Sequence, residues 1–283
     1  MPVLLALLAV AAVALVPAAR LYLGQKDLIF RPGRRLDRSP ADLGADYEAV
    51  RLPVGDTAQV EAWWIPVAGA QTTVLYFHGS DGNLTHELPV LRYLRALGLG
   101  VLAVEYPGYA DAGKPSEKGC YAAARAAWNH VVDGRGIEPR SLVLFGMSLG
   151  GAVAVRLAAE RQCGGLVVQG TFTSVPDLAA GRYPYLPVRL FVRTQMNSLE
   201  HIRRVDAPLV VVHSEDDEHI PVDHARRLVA AAAGPRHLVV VRGAHRDGGW
   251  MRSEEVTAAW RWLLAPHAAD RESREGDEPC DPK

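Results

Sequence analysis

The amino-acid sequence predicts an α/β domain built on a mostly parallel sheet of about eight strands with helices on both faces. Three observations carry this. Strand-like and helix-like segments alternate from Thr73 to Leu264. The later strand segments are unbroken apolar runs, such as Leu142-Val143-Leu144-Phe145 and Leu209-Val210-Val211-Val212, as a sheet covered on both faces requires. Ahead of them, Tyr47–Val54 and Val60–Val67 read as a hairpin turning at Gly55-Asp56, an antiparallel edge on the sheet.

The elements follow in order. Thr73–Phe77 is a strand ending in His78-Gly79, and Leu84–Leu97 has helical periodicity. Val101–Glu105 is a strand closed by Pro107-Gly108, and Glu117–Val132 is an Ala-rich helix. Leu142–Phe145 is a strand, Leu149–Glu160 a helix and Leu166–Gln169 a strand. Leu209–His213, the helix Val222–Ala232, the strand Leu238–Val241 and the helix Ser253–Leu264 complete the series. The stretch from Thr171 to Ile202 breaks the rhythm. It is too long for a plain connection and carries Phe172, Tyr183 and Tyr185, so it reads as a cap-like insertion over the strand ends.

The termini have a different composition. Pro2 to Ala19 holds no charged residue, and Arg20, Lys26, Arg31, Arg34, Arg35 and Arg38 follow it. This pattern predicts a single-pass membrane anchor over residues 1–20 with the domain on the cytoplasmic side. The alternative is a signal peptide cleaved near Val16-Pro17-Ala18, which would place the domain outside. Residues 21–42 read as a basic linker, 43–266 as the domain and the polar stretch 267–283 as a disordered tail.

Bulk properties exclude several functions. A formal net charge of -1 gives no global field toward nucleic acid. Cys120, Cys163 and Cys280 lie far apart with no CxxC pair, so neither a zinc knuckle nor a disulfide framework is indicated. Cys120 and Cys163 sit in apolar surroundings and read as small buried hydrophobes.

The chemistry concentrates in a few loops. Gly146-Met147-Ser148-Leu149-Gly150 matches G-x-S-x-G, with an apolar strand run immediately before it and a small-residue helix immediately after. The flanking glycines remove β-carbons that would collide in a tight strand-to-helix turn. That turn lifts the Ser148 oxygen above the strand end, where free helix N–H groups face the reacting centre. A serine nucleophile needs donors for the oxygen that becomes negative. The backbone N–H groups of Leu149 and of Ser80, in the loop His78-Gly79-Ser80-Asp81-Gly82-Asn83, are the candidates, with Asp81 as the alternative to Ser80. His78 reads as a residue that orients this loop.

A base and an acid are expected in loops after later strands. His245 alone among the histidines near the C-terminal end meets this, because His237 precedes its strand and His267 lies beyond the last helix. Ser214-Glu215-Asp216-Asp217-Glu218-His219-Ile220-Pro221 offers four carboxylates. Asp217 is preferred over Asp216 on its position before Ile220-Pro221. The same stretch invites a rival metal cluster of His213, Asp216, Asp217, His219, Asp223 and His224, but no recognised ligand spacing occurs and no metal is expected.

Together these segments, with Glu105-Tyr106-Pro107-Gly108-Tyr109, resemble the α/β-hydrolase-domain proteins anchored by one N-terminal membrane helix, often labelled serine aminopeptidase-like. The resemblance spans roughly Tyr22 to Pro266. It implies the α/β-hydrolase fold and puts that family's catalytic triad on Ser148, Asp217 and His245. The chain departs from the family where Ser80 replaces Asn, Ser214 replaces Gly and Glu105 replaces Asp, and where Ala110-Asp111-Ala112-Gly113 lacks a Gly-x-Ser. The resemblance implies acyl transfer to water without a cofactor. The expected activity is hydrolysis of a carboxylic ester or thioester, with acyl or lipid substrates at the membrane, and Met147, Phe172, Tyr183 and Tyr185 are candidate pocket residues. The alternatives are a membrane-anchored binding protein without turnover and a peptidase or amidase.

Overall fold

The computed structural model describes residues 22–55, 58–110 and 113–265. The expected membrane segment and the expected tail beyond residue 265 lie outside the described residues, as does Asp56 of the expected hairpin turn. Among the described residues no helix is long and apolar enough to cross a membrane.

Eight strands form one sheet: β1 (Glu48–Val54), β2 (Ala58–Ile65), β3 (Thr73–Phe77), β4 (Gly100–Val104), β5 (Leu142–Met147), β6 (Gly165–Gln169), β7 (Leu209–Ser214) and β8 (Arg236–Val241). Their spatial order is β8-β7-β6-β5-β3-β4-β2-β1. The strands from β3 onward pair in parallel. β2 runs antiparallel to both β4 and β1, which makes the edge expected of the leading hairpin. This is the α/β-hydrolase fold.

The apolar runs explain the layering. Strand side chains alternate between faces, so an unbroken run supplies two cores at once. Leu75 and Phe77 of β3 join Ala123 of α3 (Glu117–Asn129), Val153 of α4 (Leu149–Ala158) and Leu228 of α7 (Asp223–Ala231). Val74 and Tyr76 join Leu91 of α2 (Leu88–Ala96) and Trp260 of α8 (Glu254–Leu264) on the other face.

The register aligns the C-terminal strand ends. Phe77 lies beside Gly146, Met147 beside Gln169, Gln169 beside Val212 and Ser214 beside Val241. The loops leaving β3, β5, β6, β7 and β8 therefore open on one edge, where ligands gather in parallel sheets.

The basic segment expected as a linker is instead packed onto the domain. Residues 22–29 form a helix, α1. Gln25 on α1 accepts from the Arg193 N–H at 2.7 Å and donates to the Phe191 carbonyl at 3.5 Å. Phe30 is buried, and Arg31–Pro32 pairs in parallel with Asp81–Gly82. Charge count misled here, because exposed arginines flank a short apolar stripe that docks on the domain. The stretch from Thr171 to Ile202 contributes α5 (Val175–Arg182) and α6 (Ser198–His201), with α5 lying near the strand ends beside α1.

Candidate active site

Ser148 is the turn between β5 and α4. Its backbone has φ +51° and ψ −116°, a conformation costly for a residue with a β-carbon. The glycines around it make the turn possible. A β-carbon at Gly146 would lie 2.0 Å from the Gly150 carbonyl oxygen, and one at Gly150 would lie 2.0 Å from that of Phe77. The turn at Ser148 is thus pressed against the end of β3, and no side chain larger than hydrogen fits either place.

Ser148, His245 and Asp217 form one hydrogen-bonded row. His245 Nε2 lies 3.1 Å from Ser148 Oγ, and His245 Nδ1 lies 2.6 Å from Asp217 Oδ2. Asp217 Oδ1 accepts from the backbone N–H groups of His219 at 2.9 Å and Ile220 at 2.8 Å. Burial opposes the charge on Asp217, but the bonds from His245 and Ile220 outweigh it and hold the carboxyl below its usual range. With Asp217 a carboxylate, His245 Nδ1 carries the proton and Nε2 faces Ser148 as an acceptor.

The neighbouring carboxylates are engaged elsewhere. Asp216 is exposed and binds the Arg242 guanidinium at 2.9 Å and the Gly243 N–H at 3.2 Å. Glu218 accepts from the His245 backbone N–H at 3.0 Å, so it steadies the loop rather than the ring. His213 is fully buried and donates from Nε2 to the Ile220 carbonyl at 2.7 Å, and burial lowers its pKa. It pins the turn that presents the Ile220 N–H to Asp217. His224 Nδ1 meets the Thr173 hydroxyl at 2.8 Å. Among the described residues no group of three or more His, Cys, Asp or Glu is arranged to hold a metal.

The loop after β3 passes beside Ser148. Among the described residues, neither the Ser80 N–H nor the Leu149 N–H has a hydrogen-bond partner, and both residues line the cavity at Ser148. His78 sits beneath this loop, fully buried, with Nε2 2.6 Å from Glu105 Oε1 and Nδ1 2.8 Å from the Gly79 carbonyl. Burial disfavours its charge, yet the Glu105 carboxylate outweighs that and raises the pKa. The Gly79 carbonyl can only accept, so Nδ1 carries a proton, and the bonds at both ring nitrogens clamp His78 in the loop. Tyr106 and Tyr109 hydroxyls donate to the His78 and Ser80 carbonyls at 2.9 and 2.8 Å. The guanidinium groups of Arg31 and Arg246 flank Asp81, tying the N-terminal segment and the His245 loop to the same rim.

A cavity of about 220 Å³ opens at Ser148. Met147 and Phe172 line it, together with Glu87, Gln169, Val175 and Leu178. Tyr183 and Tyr185 do not. Tyr183 lines an adjoining groove of about 670 Å³, and Tyr185 is 97% exposed on the turn beyond α5, where its side chain meets solvent. The groove runs between α1 and α5 and shares Leu28, Ile29, Arg31, Val175, Leu178 and His219 with the cavity. Sequence reasoning missed Leu28 and Ile29 because their stretch read as linker, and Glu87 because it falls inside a helical pattern.

The fold, with a serine on a strained strand-to-helix turn and a histidine and a carboxylate brought to it from later strands of a parallel sheet, defines an α/β protein of the hydrolase class. The chain belongs to the α/β-hydrolase family. The model of the alpha/beta hydrolase family matches residues 74–196. The chain is 35% identical to the uncharacterized protein Rv2307c of Mycobacterium tuberculosis over 248 residues, covering 86% of this chain and 88% of the relative. It is 30% identical over 241 residues to the alpha/beta hydrolase domain-containing protein WAV2 of Arabidopsis thaliana, with 77% and 78% covered. Among solved structures, the esterase Pf2001 of Pyrococcus furiosus superimposes with a TM-score of 0.67 at 21% identity, covering 83% of this chain and 96% of that one. An alpha-beta hydrolase from Vibrio vulnificus does so with 0.66 at 20%, covering 87% and 91%.

Proposed function

We propose that the protein hydrolyses carboxylic esters or thioesters through an acyl-Ser148 intermediate. The observation that carries this reading is the continuous row Ser148–His245–Asp217 at the floor of a cavity. Ser148 Oγ attacks the carbonyl carbon while its proton passes to His245 Nε2. Asp217 keeps the Nδ1 proton in place and stabilises the imidazolium. The carbonyl oxygen takes the negative charge and is met by the N–H groups of Leu149 and Ser80. Collapse expels the alcohol or thiol, which receives the proton from Nε2. Water then attacks the acyl carbon, giving its proton to the same nitrogen. The second collapse releases the acid and restores the Ser148 hydroxyl. No cofactor enters this scheme.

The apolar groove supports acyl chains as the substrate's tail. It is continuous with the cavity, and its lining of Leu28, Ile29, Val175, Leu178, Val188 and Val192 offers alkyl groups dry contact. Exposed Leu23, Leu28, Leu186, Leu190 and Phe191 lie on α1 and on the segment packed beside it. With the uncharged run from Pro2 to Ala19, they support a position at a membrane with the domain on the cytoplasmic side. A fluorophosphonate probe tests the chemistry: wild type labels and hydrolyses 4-nitrophenyl octanoate, and Ser148→Ala does neither. A folded wild type that neither labels nor turns over ester or thioester would overturn the reading in favour of a binding protein. Protease access to the domain in intact cells tests the topology.

A further inference from the structure

The two sides of the cavity differ. Toward α1 and α5 its walls are mostly apolar, with Arg31 and His219 among Leu28, Ile29, Val175 and Leu178, while Glu87 and Gln169 line it elsewhere. Both are more than nine-tenths buried, with 8% and 3% of their surfaces exposed. One Glu87 oxygen accepts from the Tyr76 hydroxyl, which also has Met147 Sδ 3.1 Å away. The other Glu87 oxygen has no hydrogen-bond partner among the described residues, and no Lys, Arg or His there forms a salt bridge with the carboxylate, which acts on the His78 ring only through space. The Gln169 carboxamide likewise has no partner among the described residues. Its main-chain carbonyl is taken by the Ser148 N–H at 2.8 Å.

Glu105 shows how the same fold treats a buried carboxylate that serves only structure. It is 1% exposed, and its oxygens take His78 Nε2 at 2.6 Å, the Leu84 N–H at 3.0 Å and the Tyr106 N–H at 3.2 Å. Glu87 has one such bond. The polar atoms of Glu87 and Gln169 that no protein group takes up are not sealed in the core but line the cavity at Ser148. Two polar side chains lining the cavity that holds Ser148, each with hydrogen-bonding capacity no protein group uses, can serve a bound molecule.

We propose that Glu87 and Gln169 form a polar subsite that takes a hydrogen-bond donor on the substrate, a hydroxyl or an ammonium close to the scissile bond. The subsite rests on the ester-hydrolase reading and narrows its substrate class to amphiphiles. The alkyl tail lies along the groove between α1 and α5. The donor-bearing part turns toward the strand ends, where Glu87 accepts its proton in a hydrogen bond and the Gln169 carbonyl oxygen can accept another.

Three matched pairs of esters test this: 1-octanoylglycerol with ethyl octanoate, the 4-nitrophenyl esters of 3-hydroxyoctanoate and octanoate, and alanine ethyl ester with ethyl propionate. The readout is the ratio of kcat/KM for the donor-bearing member to that for its partner. Wild type is expected to give a ratio of about ten or more in at least one pair, the value of one bond to a charged acceptor. Gln169→Leu and Glu87→Leu are expected to bring that ratio toward one. Glu87→Gln separates the sources, because a hydroxyl keeps its acceptor and an ammonium loses its charge partner. Ratios near one in all three pairs for wild type overturn the subsite. So does a variant that slows both members equally and leaves the ratio where it was. If Glu87→Leu does not fold, Gln169→Leu decides. Fluorophosphonate labelling of Ser148 keeps the outcomes apart: a labelled enzyme with flat ratios loses the subsite alone, and an unlabelled folded enzyme loses the ester reading.

Discussion

His245 Nε2 stands 3.1 Å from Ser148 Oγ across 97 residues of chain, and the ring is aimed by Asp217 behind it and by the Glu218 bond to its own backbone N–H. The two loops meet because β5 and β8 end on the same edge of the sheet, with β6 and β7 between them. Every consequence below depends on that edge staying in register.

Asp217 and Asp216 are adjacent in sequence and opposite in consequence. Asp217→Asn removes the charge that holds the His245 tautomer, and kcat is expected to fall by about 10³ to 10⁴. Asp216→Asn disturbs a surface pair with Arg242 and is expected to change kcat by less than about threefold. Steady-state kinetics on one ester, with circular dichroism to verify folding, checks both.

Gly150→Ala is expected to be more damaging than its single methyl suggests. The new β-carbon would sit 2.0 Å from the Phe77 carbonyl oxygen, a backbone atom that cannot swing aside. Either β3 separates from the nucleophile turn or the turn moves. We expect a loss of more than about 3 kcal/mol of stability, or insoluble protein, read by urea denaturation.

Leu178 stands where cavity and groove join. Each methylene buried in the groove contributes about 0.8 kcal/mol, roughly a fourfold rise in kcat/KM per carbon until the groove is filled. Leu178→Trp is expected to cut that rise short at the junction while short acyl esters retain their rates. A chain-length series of 4-nitrophenyl esters measures it, and an unchanged profile would remove the groove from the substrate path.

Glu160 ties the nucleophile helix to its neighbour. It binds Arg125 of α3 at 2.7 and 2.8 Å and Arg156 of α4 at 2.6 Å. The hydrogen bonds from Arg125 lead in lowering its pKa to about 2. A depressed carboxylate contributes stability that is present above its unfolded pKa, near 4.3, and is lost as pH falls toward 2. All three side chains are partly exposed, so solvent screening keeps the contribution near 1 kcal/mol. Glu160→Gln is expected to be less stable than wild type at pH 7, with the difference shrinking below pH 4 and vanishing near pH 2. Thermal unfolding across that range tests the sign.

Much of the fold was legible because burial on both faces leaves a mark that one chain can carry. Val/Leu runs such as Leu209–Val212 have no other use than a covered strand, and the glycines around Ser148 have few other reasons to stand at that spacing. His245 could be picked as the residue facing Ser148 by its place after the last strand. The acid could not be separated from Asp216 with the same force, since both occupy one loop. The α1 helix was misread because little marks its docking in the sequence: Gln25 is its buried residue, Ile29 is half-buried, and Phe30 is buried just beyond its end. Such a pattern gains meaning only from the surface it docks on. Tyr183 and Tyr185 looked like pocket residues by composition, yet Tyr183 lines the adjoining groove rather than the cavity, and Tyr185 is carried out to solvent.

The sequence by itself determined the layer order, the tight turn at Ser148 and the loops that carry Asp217 and His245, because these follow from periodicity and from glycine sterics acting over a few residues. Only the tertiary structure decided which carboxylate aims the histidine, that the N-terminal helix walls the groove, and that Glu87 and Gln169 share one cavity. Those depend on distances between residues far apart in the chain, which strand register sets and no local pattern encodes.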